Sequence, residues 1–244
     1  MNYSCSHHKL PQKYTKFGSS RLPVDARGNL YWHLGNWSKD MDRFHQISIV
    51  HNAFQTWAPY FIPWEFKSTS DIDSAQWKIY WVKGNVITLP DGTSWNVKEH
   101  GLFDFSKNRD TLAVQYASPN LLCLINDDID YSFSTAGPTF FDLTKVLIHE
   151  LGHGLLLGHT DQDAVKEMKR LSPSEGGGIP IMGAYYDDNA RITLDEERAI
   201  RKFHGAHLNE FRGHPTILRI MQTFAVKPEP LRRRKGCLGK LLGW

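Results

Sequence analysis

The chain has 244 residues, 41% hydrophobic content and a formal charge of +3 at pH 7. That length and apolar content suffice for one large buried core. Apart from the extreme C-terminus, the interspersed charges exclude a nucleic-acid-binding surface, so no nucleic acid is expected as a partner. Three scattered cysteines, Cys5, Cys123 and Cys237, argue against a disulfide framework. The N-terminal stretch lacks the apolar segment of a secretory signal, and no apolar run approaches the ~20 residues that span a bilayer. The protein is expected to be soluble as encoded.

In chain order, residues 1–28 are polar and read as an irregular arm. Asn29–Leu34 (NLYWHL) is aromatic and β-prone, a first strand. From about Asp40 to Trp57 the residues Phe44, Ile47, Val50, Phe54 and Trp57 recur at helical spacing, and Pro59 ends that helix. Four β-like pieces follow: Trp64–Lys67, Trp77–Val82, Leu112–Tyr116 and Leu121–Ile125. Turn signals such as Pro90-Asp91-Gly92 separate them. A second helix follows Pro138-Thr139, with Asp142 or Thr139 as its N-cap. A Gly- and Pro-rich loop (Ser172–Pro180) comes next. Thr193-Leu-Asp-Glu196 is a capping box that opens a last helix, closed by Gly205. Strands first and helices later indicate an α+β domain.

Residues 149–159 read His-Glu-Leu-Gly-His-Gly-Leu-Leu-Leu-Gly-His. On a helix, His149 and His153 stand one turn apart and project from one face toward one ion. Glu150 lies about 100° round from His149 and about 60° from His153, within reach of a metal-bound water. His159 supplies a third ligand after the helix ends, leaving a fourth position open, as catalytic zinc requires. With 12 His in the chain, this full pattern arises by accident in about one such chain in a thousand.

These residues make the chain resemble a metzincin, and within that clan the catalytic domain of the matrixins. The resemblance spans roughly residues 29–205, leaving 206–244 as a C-terminal extension. It rests on the zinc helix, on Met182 as the Met-turn 23 residues after His159, on Ala53-Phe54-Gln55-Thr56-Trp57, on Ile125-Asn126-Asp127-Asp128 and on Ile200-Arg-Lys-Phe203-His-Gly205. It implies a small, twisted, mostly parallel sheet, an active-site helix and a C-terminal helix. It also implies a zinc endopeptidase with Zn²⁺ on His149, His153 and His159, and Glu150 as general base. A peptide or protein substrate would lie along the edge strand near Leu112, Ala113 and Val114. Ala184 and Tyr186 would line the pocket for the residue after the cut.

Four departures stand out. Leu156 occupies the position where the family has the glycine that ends the helix, which predicts that the chain turns at Gly158 instead and the helix runs half a turn longer. The structural-zinc positions are replaced by Gly101, Val114 and Leu124, so a single zinc is expected; Asp104, Asp127 and Asp128 are candidates for Ca²⁺. The pro-segment cysteine motif is missing, with only Cys5 upstream as a thiol that could cap the metal. The tail from Leu231 to Trp244 joins basic residues to an apolar end, which suits an anionic membrane or acidic partner as well as a solvated tail. Two rival readings stay open. One is a metzincin-like fold serving as a structural or binding module. The other is a peptidase whose third ligand is Glu196 or Glu197.

Overall fold

The computed structural model describes residues 22–61, 64–117, 121–132, 140–170 and 178–210. Its centre is built from β1 (Asn29–Leu34), β2 (Glu65–Ser68), β3 (Trp77–Val82), the short hairpin strands β4 (Val86–Thr88) and β5 (Ser94–Asn96), then β6 (Ala113–Tyr116) and β7 (Leu121–Asn126). Five of these form one sheet in the order β2-β1-β3-β7-β6. The first four run parallel, with Trp32 beside Trp77 and Ile79 beside Cys123, and β6 closes the edge antiparallel to β7. The sheet is thus mostly parallel, as expected.

Alternation explains why β3 and β7 read as nearly unbroken apolar runs. Successive side chains point to opposite faces, and here both faces are covered. Trp77, Ile79 and Trp81 of β3, with Leu121, Cys123 and Ile125 of β7, join the large core beneath the helices. Tyr80, Val82 and Leu124 face the other way, into a smaller core closed by the β4–β5 hairpin through Ile87 and by Val97. That hairpin turns through Gly92 at φ 87° and was not anticipated, because its three-residue strands are largely exposed.

Helix α1 (Arg43–Trp57) starts at Asp42, whose side chain accepts from the His45 N–H. Its inward face is Gln46, Ile49, Val50, Ala53, Phe54 and Trp57. Phe44 and Ile47 point outward, 74% and 42% exposed, so the expected stripe is rotated near the N-terminus. Gln46 takes their place inside because its amide closes the preceding loop, bonding Ser38 N, Ser38 O and Met41 O. The α-helix ends at Trp57, just before Pro59 as expected, and a 3₁₀ segment, Ala58–Tyr60, follows it.

Two tiny parallel pairs frame the site: β8 (Tyr131–Ser132) with β9 (Phe141–Asp142), and β10 (Ile179–Pro180) with β11 (Ala190–Arg191). Helix α2 (Leu143–Gly154) packs across α1, and the Trp57 indole donates to Ile148 O at 2.8 Å. A helix absent from the sequence reading, α3 (Gln162–Arg170), follows. Helix α4 (Leu194–Glu210) does not close at Gly205 but runs one further turn. The core also starts earlier than residue 29, since Leu22 is buried in it. Cys5, Thr139 and the tail from Leu231 lie outside the described residues. Among the described residues no helix is long and apolar enough to cross a membrane.

Candidate metal centre

Helix α2 begins where the Asp142 side chain accepts from the Thr144 N–H at 2.9 Å, satisfying a first-turn donor. Twelve residues later it ends in a Schellman motif. Leu157 N bonds Gly152 O and Leu156 N bonds His153 O, each at 2.9 Å. The residue this motif holds in the left-handed region is Leu156, at φ 72°. The expected turn at Gly158 is therefore wrong, and the helix is not lengthened. The spacing of the histidines dictates the result: reversal just after Gly154 returns His159 to the helix face, and a later bend would carry it past. Leu156 is 2% exposed, so burial of its side chain offsets the ~1–2 kcal/mol of left-handed strain. The imidazole of His204 on α4 braces the same exit, bonding Leu155 O at 2.9 Å.

The turn assembles three imidazoles. His153 Nε2 lies 3.0 Å from His149 Nε2 and 3.1 Å from His159 Nε2. His149 Nδ1–H donates to Ile181 O at 2.6 Å and His153 Nδ1–H to Leu157 O at 2.8 Å. A carbonyl can only accept, so these bonds place the protons on Nδ1 and leave lone pairs on Nε2. Lone pairs facing one another at such distances repel unless a cation sits between them. Nitrogen ligands about 2.0–2.1 Å from a tetrahedral zinc would be separated by about 3.3 Å. The donor set thus fits a borderline-soft divalent metal, and these three histidines are the one such cluster among the described residues.

Met182 is fully buried and packs against Gly152 of helix α2. A Cβ on Gly152 would overlap its thioether and come within 3.1 Å of Trp57 Cζ2, so the helix is glycine there to admit the methionine. Glu150, 2% exposed, opens onto a cavity together with His149. Leu112, Val146, Ala184 and Tyr186 provide much of the wall, and Lys145 lines it too. The Tyr186 hydroxyl accepts from Asp142 N at 2.9 Å, fastening the wall to the start of α2, and burial pushes its pKa up.

Of the residues expected at this pocket, Leu112, Ala184 and Tyr186 line it. Ala113 is buried in the main core and Val114 belongs to the smaller core on the opposite face of the sheet. Glu196 is not among the clustered ligands: it bonds Met182 N and Thr193. Glu197 pairs with Arg201 at 2.8 Å. This removes the rival ligand set. None of the calcium candidates Asp104, Asp127 and Asp128 belongs to a metal-ligand cluster among the described residues. Asp104 accepts from Asn85 and Ser106, and Asp128 from Gly84 N at 2.6 Å. Lys145 was overlooked, although it precedes His149 by one helical turn and so shares its face.

A family model described as matrixin matches residues 24–170, more than half of the chain, and that span includes the three histidines and Glu150. No curated protein matches the chain.

Proposed function

The chain belongs to the matrixin family, and on that premise we propose that it is a zinc-dependent endopeptidase. Among its own features, the observation that carries the reading is the convergence of three Nε2 atoms at 3.0 and 3.1 Å. His149, His153 and His159 would hold the ion. When bound, Zn²⁺ would acidify a water molecule and polarise the scissile carbonyl.

The rest of the chemistry falls to the chain. The Glu150 carboxylate would accept the proton of the attacking water and pass it to the leaving amine. Its nearly complete burial restricts competing solvent around that transfer. Among the described residues strand β6 ends the sheet, and its outer edge would pair with an extended substrate backbone. The side chain after the cut would enter the cavity between Leu112, Val146 and Tyr186.

Glu150→Gln tests the reading. The variant should keep the fold and the zinc while peptide hydrolysis falls by about 10²–10⁴-fold. Hydrolysis at the wild-type rate would remove Glu150 from the mechanism. A zinc-loaded wild type that cleaves no peptide or unfolded protein would instead favour the structural-module reading.

A further inference from the structure

A single peptide unit joins the histidine cluster to a buried carboxylate on another helix. Its carbonyl, Ile181 O, accepts from His149 Nδ1–H at 2.6 Å. Its amide, Met182 N–H, donates to Glu196 Oε1 at 2.7 Å. Glu196 is 0% exposed. Its second oxygen accepts from Thr193 N at 2.6 Å and from Thr193 Oγ1 at 2.9 Å. These partners are all donors, the complement that an ionised carboxylate requires.

An ordinary capping box accounts for the Thr193 bonds and needs only one oxygen. It leaves the Oε1 bond to Met182, fourteen residues back, unexplained. Hydrogen bonds in series polarise one another, more strongly where the surroundings are dry. A negative charge at Glu196 draws on Met182 N–H and enriches Ile181 O. The bond from His149 Nδ1–H then shortens, and Nε2 becomes a stronger electron donor. Carboxylates and carbonyls behind ligating histidines tune metal affinity in this way. His153 offers an internal comparison. Its Nδ1–H meets Leu157 O, and among the described residues no carboxylate bonds the amide of that peptide.

We propose that Glu196 is a positioning residue for the metal centre, acting through the Ile181–Met182 peptide to orient His149 and raise its affinity for Zn²⁺. The proposal rests on the reading of the three histidines as zinc ligands.

The test uses the full chain, Zn²⁺ alone as probe, and the near-isosteric Glu196→Gln at pH 8. Zinc binding, measured by competition with a chromophoric chelator, should weaken by about tenfold. In proton NMR of the zinc-loaded protein, the His149 Nδ1–H resonance should move upfield while that of His153 stays. A folded variant with wild-type zinc affinity, or one in which both resonances move alike, overturns the proposal. If the glutamine variant does not fold, Glu196→Asp, which sets the carboxylate back from Met182 N–H, should shift the His149 resonance alone. An unmoved resonance there overturns it equally. Failure of the wild type to bind zinc would instead defeat the underlying metal-site reading, so the two failures are distinguishable.

Discussion

Leu156 sits where backbone conformation and side-chain burial pull in opposite directions, and their balance can be measured. Its φ of 72° costs a residue bearing a Cβ roughly 1–2 kcal/mol, a cost glycine escapes. Its side chain is 2% exposed, and truncating a buried leucine to alanine costs about 2–5 kcal/mol. Leu156→Ala loses the burial and keeps the strain, so it should show that full cost. Leu156→Gly loses the same burial but sheds the strain, and should lie about 1 kcal/mol above alanine while remaining below wild type. The predicted order is Leu, then Gly, then Ala, the reverse of the usual preference for alanine over glycine at a helix end without left-handed geometry. Urea unfolding of the metal-free proteins gives the three stabilities. In a thermal melt, each 1 kcal/mol corresponds to about 2–4 °C for a domain of this size. Alanine more stable than glycine would refute a left-handed Leu156. Glycine more stable than wild type would refute the claim that burial outweighs the strain.

Three further outcomes follow from the same geometry. A Cβ on Gly154 would approach Trp77 Cη2 to 2.5 Å and Gln115 Cδ to 3.2 Å; because Trp77 is fully buried, Gly154→Ala should cost about 1–3 kcal/mol in urea unfolding, and a neutral result would refute that packing. Burial pushes the Glu196 carboxyl from 4.5 up to about 7, so the folded state keeps a proton that the unfolded chain has already lost. Its contribution is therefore full below about pH 4.5 and disappears as pH rises through about 7, some 3 kcal/mol in all. The stability of Glu196→Gln relative to wild type should accordingly rise across that interval, and a flat difference would contradict the sign. Finally, Lys145 lines the cavity while Asp187 in the same wall pairs with Lys169 at 3.5 Å; Lys145→Leu should reduce the preference for acidic residues after the cut by up to about fivefold in relative kcat/KM, whereas an unchanged peptide-library profile would exclude Lys145 from specificity.

Much of the sheet was legible because burial on both faces leaves an unmistakable apolar run, as in Trp77–Val82. The pairing of His149 with His153 was legible because it follows from helical spacing alone. What escaped was decided by tertiary context. The sequence QDAVKEMKR of α3 is too polar to advertise a helix, and the β4–β5 hairpin is too short and exposed to show alternation. Along α1, Phe44 looks like a core residue and Gln46 does not. Gln46 is inside because a loop needs its amide, a partner distant from any pattern of apolar residues. At the helix exit, glycine propensity favoured Gly158, yet the reach required of His159 placed the turn on Leu156. Glu196 was visible as half of a capping box. The partner of its other oxygen is set only when α4 docks under the Met182 turn.

The central claim meets its most direct test in one preparation followed through metal removal and return. Zinc content and cleavage of an unfolded protein substrate would be measured before chelation, after it, and after adding one equivalent of Zn²⁺. The account predicts one zinc per chain, loss of cleavage on chelation and recovery on stoichiometric return. A chain that holds its zinc and cleaves nothing, or one that cleaves equally well without metal, would contradict it.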